Sequence, residues 1–377
     1  MRYFISAGEA SGDIHAAGLI KALRQYDPQA RFTFLGGDLM SQAAGNTPLI
    51  HYRDMAYMGF SEVLRNLSKV LGNLKRAKQT ITSECPDAVI LIDYPSFNLK
   101  IARHAWQHSI PVYYYISPKV WAWKEYRVKD IRKYVTRLFS ILPFEKDFYL
   151  RHNYEITYVG NPSVEEIENR AKSIPERSSF LDSHNLPDRP ILALVPGSRR
   201  GEIRNNLPVM LDVAKRFPMY NPVIAGAPGI ERSIYDRYGN MPVVTGVTFE
   251  LIKHADIALV TSGTATLEAA LLRTPQVVCY RANGSRFSYN LFKHILKVKY
   301  VSLPNLIADS PIVPEMLLHH CNADEVSRKV SDILPGTQGR SDMLNGYSLM
   351  RKALGDSNAA SSTAQGIIKD LNNRLQR

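Results

Sequence analysis

Short runs of β-branched and aromatic residues alternate with helically spaced apolar positions through the first half of the chain. Arg2–Ser6, Arg31–Leu35, Ala88–Ile92, Val112–Ile116 and Arg137–Leu142 read as strands, and Ile14–Gln25, Ser61–Glu84 and a basic stretch near Glu125–Tyr134 as helices. Ala88–Ile92 is apolar throughout, as a strand buried on both faces must be. Strands alternating with helices predict a parallel sheet covered on both sides.

The pattern breaks near Val159-Gly160-Asn161-Pro162. Ala171–Pro190 is polar, carries Pro175, Pro187 and Pro190, and reads as a linker or exposed connection. Alternation then restarts. Strands are expected at Ile191–Val195, Pro222–Ala225, Pro242–Thr245, Ile257–Val260 and Gln276–Tyr280, and helices at Glu202–Phe217, Phe249–His254 and Thr264–Leu272. From Pro314 onward the chain reads as helical. The expected fold is α/β, with two doubly wound Rossmann-like domains facing a cleft, over residues 1–162 and 163–340. Residues 341–377 are expected to form C-terminal helices. Ligands of such sheets bind beyond the carboxyl ends of the strands, so chemistry is sought just after each strand.

Composition narrows the function classes. The 377 residues are 45% hydrophobic and 22% charged, which excludes a disordered chain, and the 22 Gly and 22 Pro follow no collagen period. Three scattered cysteines, Cys85, Cys279 and Cys321, argue against a disulfide scaffold and fit a reducing compartment. No secretory signal is recognised at the N-terminus, and no apolar stretch approaches the roughly 18 to 20 residues that cross a bilayer. A cytoplasmic or membrane-surface protein is expected. The net charge of +12 favours an anionic partner: nucleic acid, an acidic membrane face or a phosphorylated substrate.

Four segments follow strands directly. Gly8-Glu9-Ala10-Ser11-Gly12-Asp13 places Gly8 and Gly12 where backbone can approach a ligand, and a helix start beside Ser11 can meet an anion or a sugar oxygen. A plain turn capped by Asp13 or Ser11 is the alternative. Asp93 ends the apolar strand Ala88–Ile92. Burial would raise its pKa and suit it as a general base, whereas a helix cap is the plainer role. The Tyr94–Asn98 stretch after it reads as a turn that shapes a pocket. In Pro196–Ile203, Arg199 stands in a Gly-Ser turn at a helix start and can neutralise a pyrophosphate. Ser262, Gly263 and Thr264 offer N–H and hydroxyl donors to phosphate. Glu268, one turn on, can accept bonds from a ribose diol, or simply face solvent.

Two surface features add to these. In Met55–Lys78 a basic amphipathic pattern fits either a membrane interface or a core-facing helix with a solvated face. Trp121, Trp123 and Lys124 form an aromatic-basic cluster that can anchor at an interface or bind substrate. No dinucleotide fingerprint, P-loop, D-x-D, H-E-x-x-H or G-x-S-x-G motif occurs. Basic residues are spread without a nucleic-acid motif, so nucleic acid is not an expected partner.

Taken together, GEASGD, Met58–Val63, Ile92-Asp93 with Phe97-Asn98, Ile116–Trp123, Leu142–Glu145, PGSRRGEI, SGTATLE and Tyr300–Leu306 resemble lipid-A-disaccharide synthase, an inverting glycosyltransferase of the B-type fold. The resemblance implies transfer from UDP-2,3-diacylglucosamine to 2,3-diacylglucosamine 1-phosphate (lipid X), giving the β-1,6 lipid A disaccharide 1-phosphate and UDP. It implies an acceptor and membrane-facing first domain and a UDP-sugar-binding second domain. Asp93 is then the base and Glu9 lies in the acceptor site, while Arg199, Glu268 and Asn305 serve the nucleotide sugar. It further implies peripheral association with the inner membrane through the Met58–Leu74 region, and C-terminal helices in 341–377 that pack back on the first domain or, in some members, swap in a homodimer. Arg199 and the N–H groups at Ser262–Thr264 suffice for a leaving UDP, so no metal or other cofactor is expected.

Two other classes compete. A UDP-sugar 2-epimerase of similar fold needs neither lipid nor acceptor. A non-catalytic membrane-surface protein would use the basic helix alone.

Overall fold

The computed structural model describes residues 1–55, 67–281, 299–356 and 358–376. Two units divide the chain: Met1–Pro162 with Asp356–Arg377, and Ser163–Gly355.

The first unit holds a seven-stranded parallel sheet in the order β3-β2-β1-β4-β5-β6-β7. Its strands are β1 (Arg2–Ala7), β2 (Arg31–Gly36), β3 (Ile50–His51), β4 (Ala88–Ile92), β5 (Val112–Tyr115), β6 (Arg137–Ser140) and β7 (Thr157–Tyr158). Every residue of β4 is buried, as its unbroken apolar run requires of a central strand. The last helix, Ala359–Leu375, returns to this unit. Ala364, Ile367 and Leu371 enter the core, and Asp370 accepts the Tyr113 hydroxyl at 2.8 Å. Gly366 belongs to that contact, since a Cβ there would stand 2.7 Å from the Phe139 ring.

The second unit holds six parallel strands in the order β10-β9-β8-β11-β12-β13. These are β8 (Ile191–Val195), β9 (Asn221–Gly226), β10 (Val243–Thr245), β11 (Ile257–Thr261), β12 (Gln276–Tyr280) and β13 (Glu315–Leu317). β8 and β11 are buried throughout. Helix Gln338–Leu354 belongs here, with Tyr347 donating to the Thr274 carbonyl at 3.2 Å.

Three local expectations are corrected. The polar segment 171–190 contains helix Arg177–Ser183, whose Phe180 and Leu181 are buried in the second core. Two adjacent apolar residues anchor it, and the prolines lie outside it. The chain after Pro314 begins with strand β13, which pairs with β12 at the sheet edge and is too short to show a period. The turn expected at Tyr94–Asn98 is the start of helix Pro95–Gln107, with proline in its first turn where no N–H is needed. Of the amphipathic segment Met58–Leu74, residues 58–66 lie outside the described residues. Its remainder opens helix Leu67–Glu84.

Candidate functional site

Strand order reverses direction in each sheet at one point, between β1 and β4 in the first and between β8 and β11 in the second. Crevices at such points are where doubly wound sheets bind ligands. Ala7 pairs with Ile92, so Gly8-Glu9 and Asp93 leave adjacent strands side by side. Val195 is aligned with Val260 in the same way, which puts Pro196–Arg200 beside Ser262–Thr264.

At the first point Asp93 and Tyr94 both take left-handed backbone, with φ of 40° and 47°. Non-glycine residues in that region cost roughly 1–3 kcal/mol each and need surrounding structure to hold them. The holding groups are present. The Tyr114 hydroxyl donates to the Asp93 carbonyl at 2.5 Å, and the Tyr94 hydroxyl donates to the Met55 carbonyl at 2.9 Å. Asn98, wholly buried on helix Pro95–Gln107, donates to the carbonyls of Asp93 at 2.8 Å and Ile92 at 3.2 Å. It accepts the Ser6 hydroxyl at 2.7 Å. The Asn98 side chain is thus a bracket beneath Asp93, occupied by the framework. Gly8 has no room for a side chain, because a Cβ would lie 2.3 Å from the Tyr94 ring.

Asp93 itself is half-buried. Desolvation and the neighbouring Glu9 carboxylate raise its pKa to about 6, opposed by the Lys119 ammonium and the Tyr94 N–H. Glu9 is half-buried at the start of helix Ala10–Tyr26, and Ser11 is exposed on its first turn. Gly12 brings that helix against β1, where a Cβ would meet the Ala7 methyl at 3.2 Å. Asp13 caps a different helix. Its buried carboxylate accepts the N–H groups of Gly37 at 2.7 Å, Leu39 at 3.1 Å and Met40 at 3.2 Å, at the start of Asp38–Ala44. Trp123 ends the short helix Val120–Trp123, and its side chain lies outside the described residues.

At the second point Arg199 is exposed at the start of helix Arg200–Ala214, where Glu202 accepts its backbone N–H at 3.3 Å and its guanidinium at 3.5 Å. Glu202 accepts the Ser198 N–H at 2.9 Å and occupies the space a Cβ on Gly197 would need, where φ is +113°. Gly263 and Thr264 are exposed at the start of helix Thr264–Leu271, while the Ser262 hydroxyl donates to the Val301 carbonyl at 3.2 Å. Glu268 is half-buried one turn on. Desolvation raises its pKa, with Arg170 pulling it back and Glu166 adding to the rise. Asn305 is not free to reach a ligand. Its buried amide binds the Val313 N–H and carbonyl and the Glu315 carboxylate, each within 2.8–2.9 Å. Asn206, absent from the sequence reading, repeats the role of Asn98. It donates to Thr261 Oγ1 at 3.1 Å and accepts the Arg281 N–H at 2.7 Å, tying β11 to the end of β12.

The family model described as lipid-A-disaccharide synthetase matches residues 3–365. The chain belongs to this family. Lipid-A-disaccharide synthase from Myxococcus xanthus is 39% identical, over 98% of this chain and 97% of its own. That from Acidobacterium capsulatum is 36% identical, over 99% and 96%. Family membership makes the protein a glycosyltransferase acting in lipid A disaccharide formation, with UDP-sugar and lipid substrates. A solved UDP-GlcNAc 2-epimerase from Neisseria meningitidis, bound to UDP-GlcNAc, aligns with a TM-score of 0.64 at 14% identity, over 99% of this chain and 100% of its own. That likeness concerns the fold, and two Rossmann-like domains of the B-type glycosyltransferase kind account for it.

A second raised carboxylate lies in the first unit. Glu145 is fully buried. It accepts the Trp121 indole N–H at 2.9 Å and the Ser140 hydroxyl, and desolvation raises its pKa to about 7. A folded-state pKa above the unfolded value means stability present at low pH and lost as pH rises from about 4.5 through about 7. Glu145→Gln keeps the shape and an acceptor for Trp121 without the charge. Its melting temperature is expected to gain on wild type as pH is raised from 5 to 8, by an amount worth on the order of 2–3 kcal/mol. A difference that stays flat across that range would show that Glu145 does not ionise with a raised pKa.

Proposed function

We propose that the protein joins UDP-2,3-diacylglucosamine to 2,3-diacylglucosamine 1-phosphate, with the acceptor at the β1/β4 switch point and UDP at the β8/β11 switch point. What supports this is that the first unit holds a raised, half-buried carboxylate at its switch point, and the second holds an arginine and an exposed helix N-terminus at its own. The acceptor 6-hydroxyl oxygen attacks C1 of the donor. The C1–O bond to the pyrophosphate breaks, the proton passes to Asp93, and UDP departs as an anion. A single displacement inverts C1 and gives the β-linkage. Arg199 and the N–H groups of Gly263 and Thr264 offset the charge growing on UDP, and Glu268 takes the ribose diol. Glu9 shares the acceptor site, with Gly8 and Gly12 shaping its backbone and Ser11 and Trp123 at its rim. Asn98 and Asn305 act through the loops they hold.

In the same reading the enzyme lies on the inner-membrane surface. No described helix is long and apolar enough to cross a membrane. Helix Leu67–Glu84 carries an exposed Leu71 beside Lys75 and Lys78, which line a groove of about 530 Å³. Such a face suits contact with anionic lipid. A homodimer through the C-terminal helix belongs to this reading too.

The test is UDP release in mixed micelles with donor alone, acceptor alone and both, each with and without EDTA. UDP is expected only with both lipids and undiminished by EDTA. Release from donor alone would favour hydrolysis or epimerase-type chemistry, and no release from a folded sample would end the transferase reading.

A further inference from the structure

β4 and β5 run side by side with Ile92 opposite Tyr115, so the residues after each strand emerge together. Three of those residues have positive φ: Asp93, Tyr94 and Ile116, the last at 65°. A β-branched residue there is a true outlier, held only because its surroundings require it. The segment after Ile116 is pinned from below at two points. Ser117 Oγ meets the Tyr149 hydroxyl at 2.9 Å, and the Trp121 indole N–H binds buried Glu145. The Trp121 ring also packs edge-on to Phe144, with centroids 5.1 Å apart.

Between these buried anchors stands Lys119, which is exposed. The register of β4 and β5 brings its segment out of the sheet beside Asp93, and its charge opposes the raised pKa of both Asp93 and Glu145. No ion pair to Lys119 forms among the described residues. Arg127, further along, donates to Ser96 Oγ at 3.0 Å. A phosphate monoester brought near Asp93 and Glu9 meets two carboxylates and needs a cation to offset them. A lysine ammonium on a flexible stem suits a phosphate as a point charge.

We propose that Lys119 binds the phosphate of the acceptor and so selects phosphorylated over unphosphorylated acceptor lipid. This rests on the reading of the β1/β4 switch point as the acceptor site. The loop anchored by Ser117 and Trp121 presents the ammonium, and Glu145 positions it through Trp121.

The experiment compares wild type, Lys119→Met and Lys119→Arg on 2,3-diacylglucosamine 1-phosphate and on the same lipid without its phosphate. Wild type is expected to prefer the phosphorylated acceptor by roughly 10- to 100-fold in kcat/KM, about 1.4–2.7 kcal/mol. Lys119→Met should bring that ratio close to one, with the donor KM unchanged, and Lys119→Arg should restore most of it. Melting curves check that the exposed substitution leaves the fold intact. A ratio in Lys119→Met equal to that of wild type overturns the proposal. So does an equal loss on both acceptors, which would mean that Lys119 serves only the field at Asp93, or a wild-type ratio near one. Wild type that releases no UDP with either acceptor would instead remove the transferase reading beneath it.

Discussion

Asp93→Asn is expected to lower turnover by at least about 10³-fold, toward the upper end of what a positioned general base supplies, while both KM values stay within a few-fold. The amide has nearly the same shape and keeps the Asp93 main-chain bonds to Tyr114 and Asn98, but cannot take the acceptor proton. The pH dependence follows from the raised pKa. Below about pH 6 the carboxyl is protonated and the base is lost, so wild-type kcat/KM should fall tenfold per pH unit on the acid side. Glu9 pushes that limb upward, and Lys119 and the Tyr94 N–H pull it down. The residual activity of Asp93→Asn should lack the limb. Stability moves the other way. A raised carboxyl stabilises the fold below its unfolded pKa and loses that contribution as pH rises through about 6. At pH 8 the asparagine variant should therefore melt no lower than wild type. A variant retaining more than about a tenth of wild-type turnover would sink the assignment of Asp93 as base.

The central strands were legible because burial on both faces leaves no room for polar residues. Ala88–Ile92 and Ile191–Val195 are found where the apolar runs end. The loops around Gly8, Asp93, Gly197 and Gly263 were legible as strand-end segments, since a parallel sheet puts its ligand-facing turns there. Short edge strands were not. β3 and β7 have two residues each, too few for any period to show. The polar brackets were hidden for a different reason. Asn98 and Asn206 lie within amphipathic helices, where a polar residue ordinarily reads as solvent-facing. Their partners are main-chain and hydroxyl groups in or just beyond other strands, which no local pattern reveals. Asp13 misled similarly: it was read as a cap within its own loop, whereas its carboxylate binds main chain more distant in sequence.

Asn98→Leu should be the most damaging single change beneath the first site. The two side chains share heavy-atom count and branching, so no cavity opens, and the loss combines the broken hydrogen bonds with some crowding by the bulkier methyl groups. Leucine leaves the Ser6 hydroxyl and the Ile92 carbonyl without the amide in a site closed to water, and leaves Asp93 held by Tyr114 alone. Unsatisfied buried groups cost about 1–3 kcal/mol each, so a loss of roughly 3–5 kcal/mol is expected. In melting temperature that is a fall of roughly 10 °C. Activity should fall further than the folded fraction does, because the left-handed turn at Asp93 and Tyr94 relaxes when its bracket is gone. Asn98→Asp separates the two effects. It keeps an acceptor for Ser6 but sets a carboxylate against carbonyl oxygens and near Asp93, so its acid limb should move above that of wild type. Thermal melts beside kcat/KM measured across pH would decide the matter. An Asn98→Leu protein melting within about 2 °C of wild type would show that the bracket carries little of the strain at the strand end, and the case for a preorganised Asp93 would then rest on Tyr114.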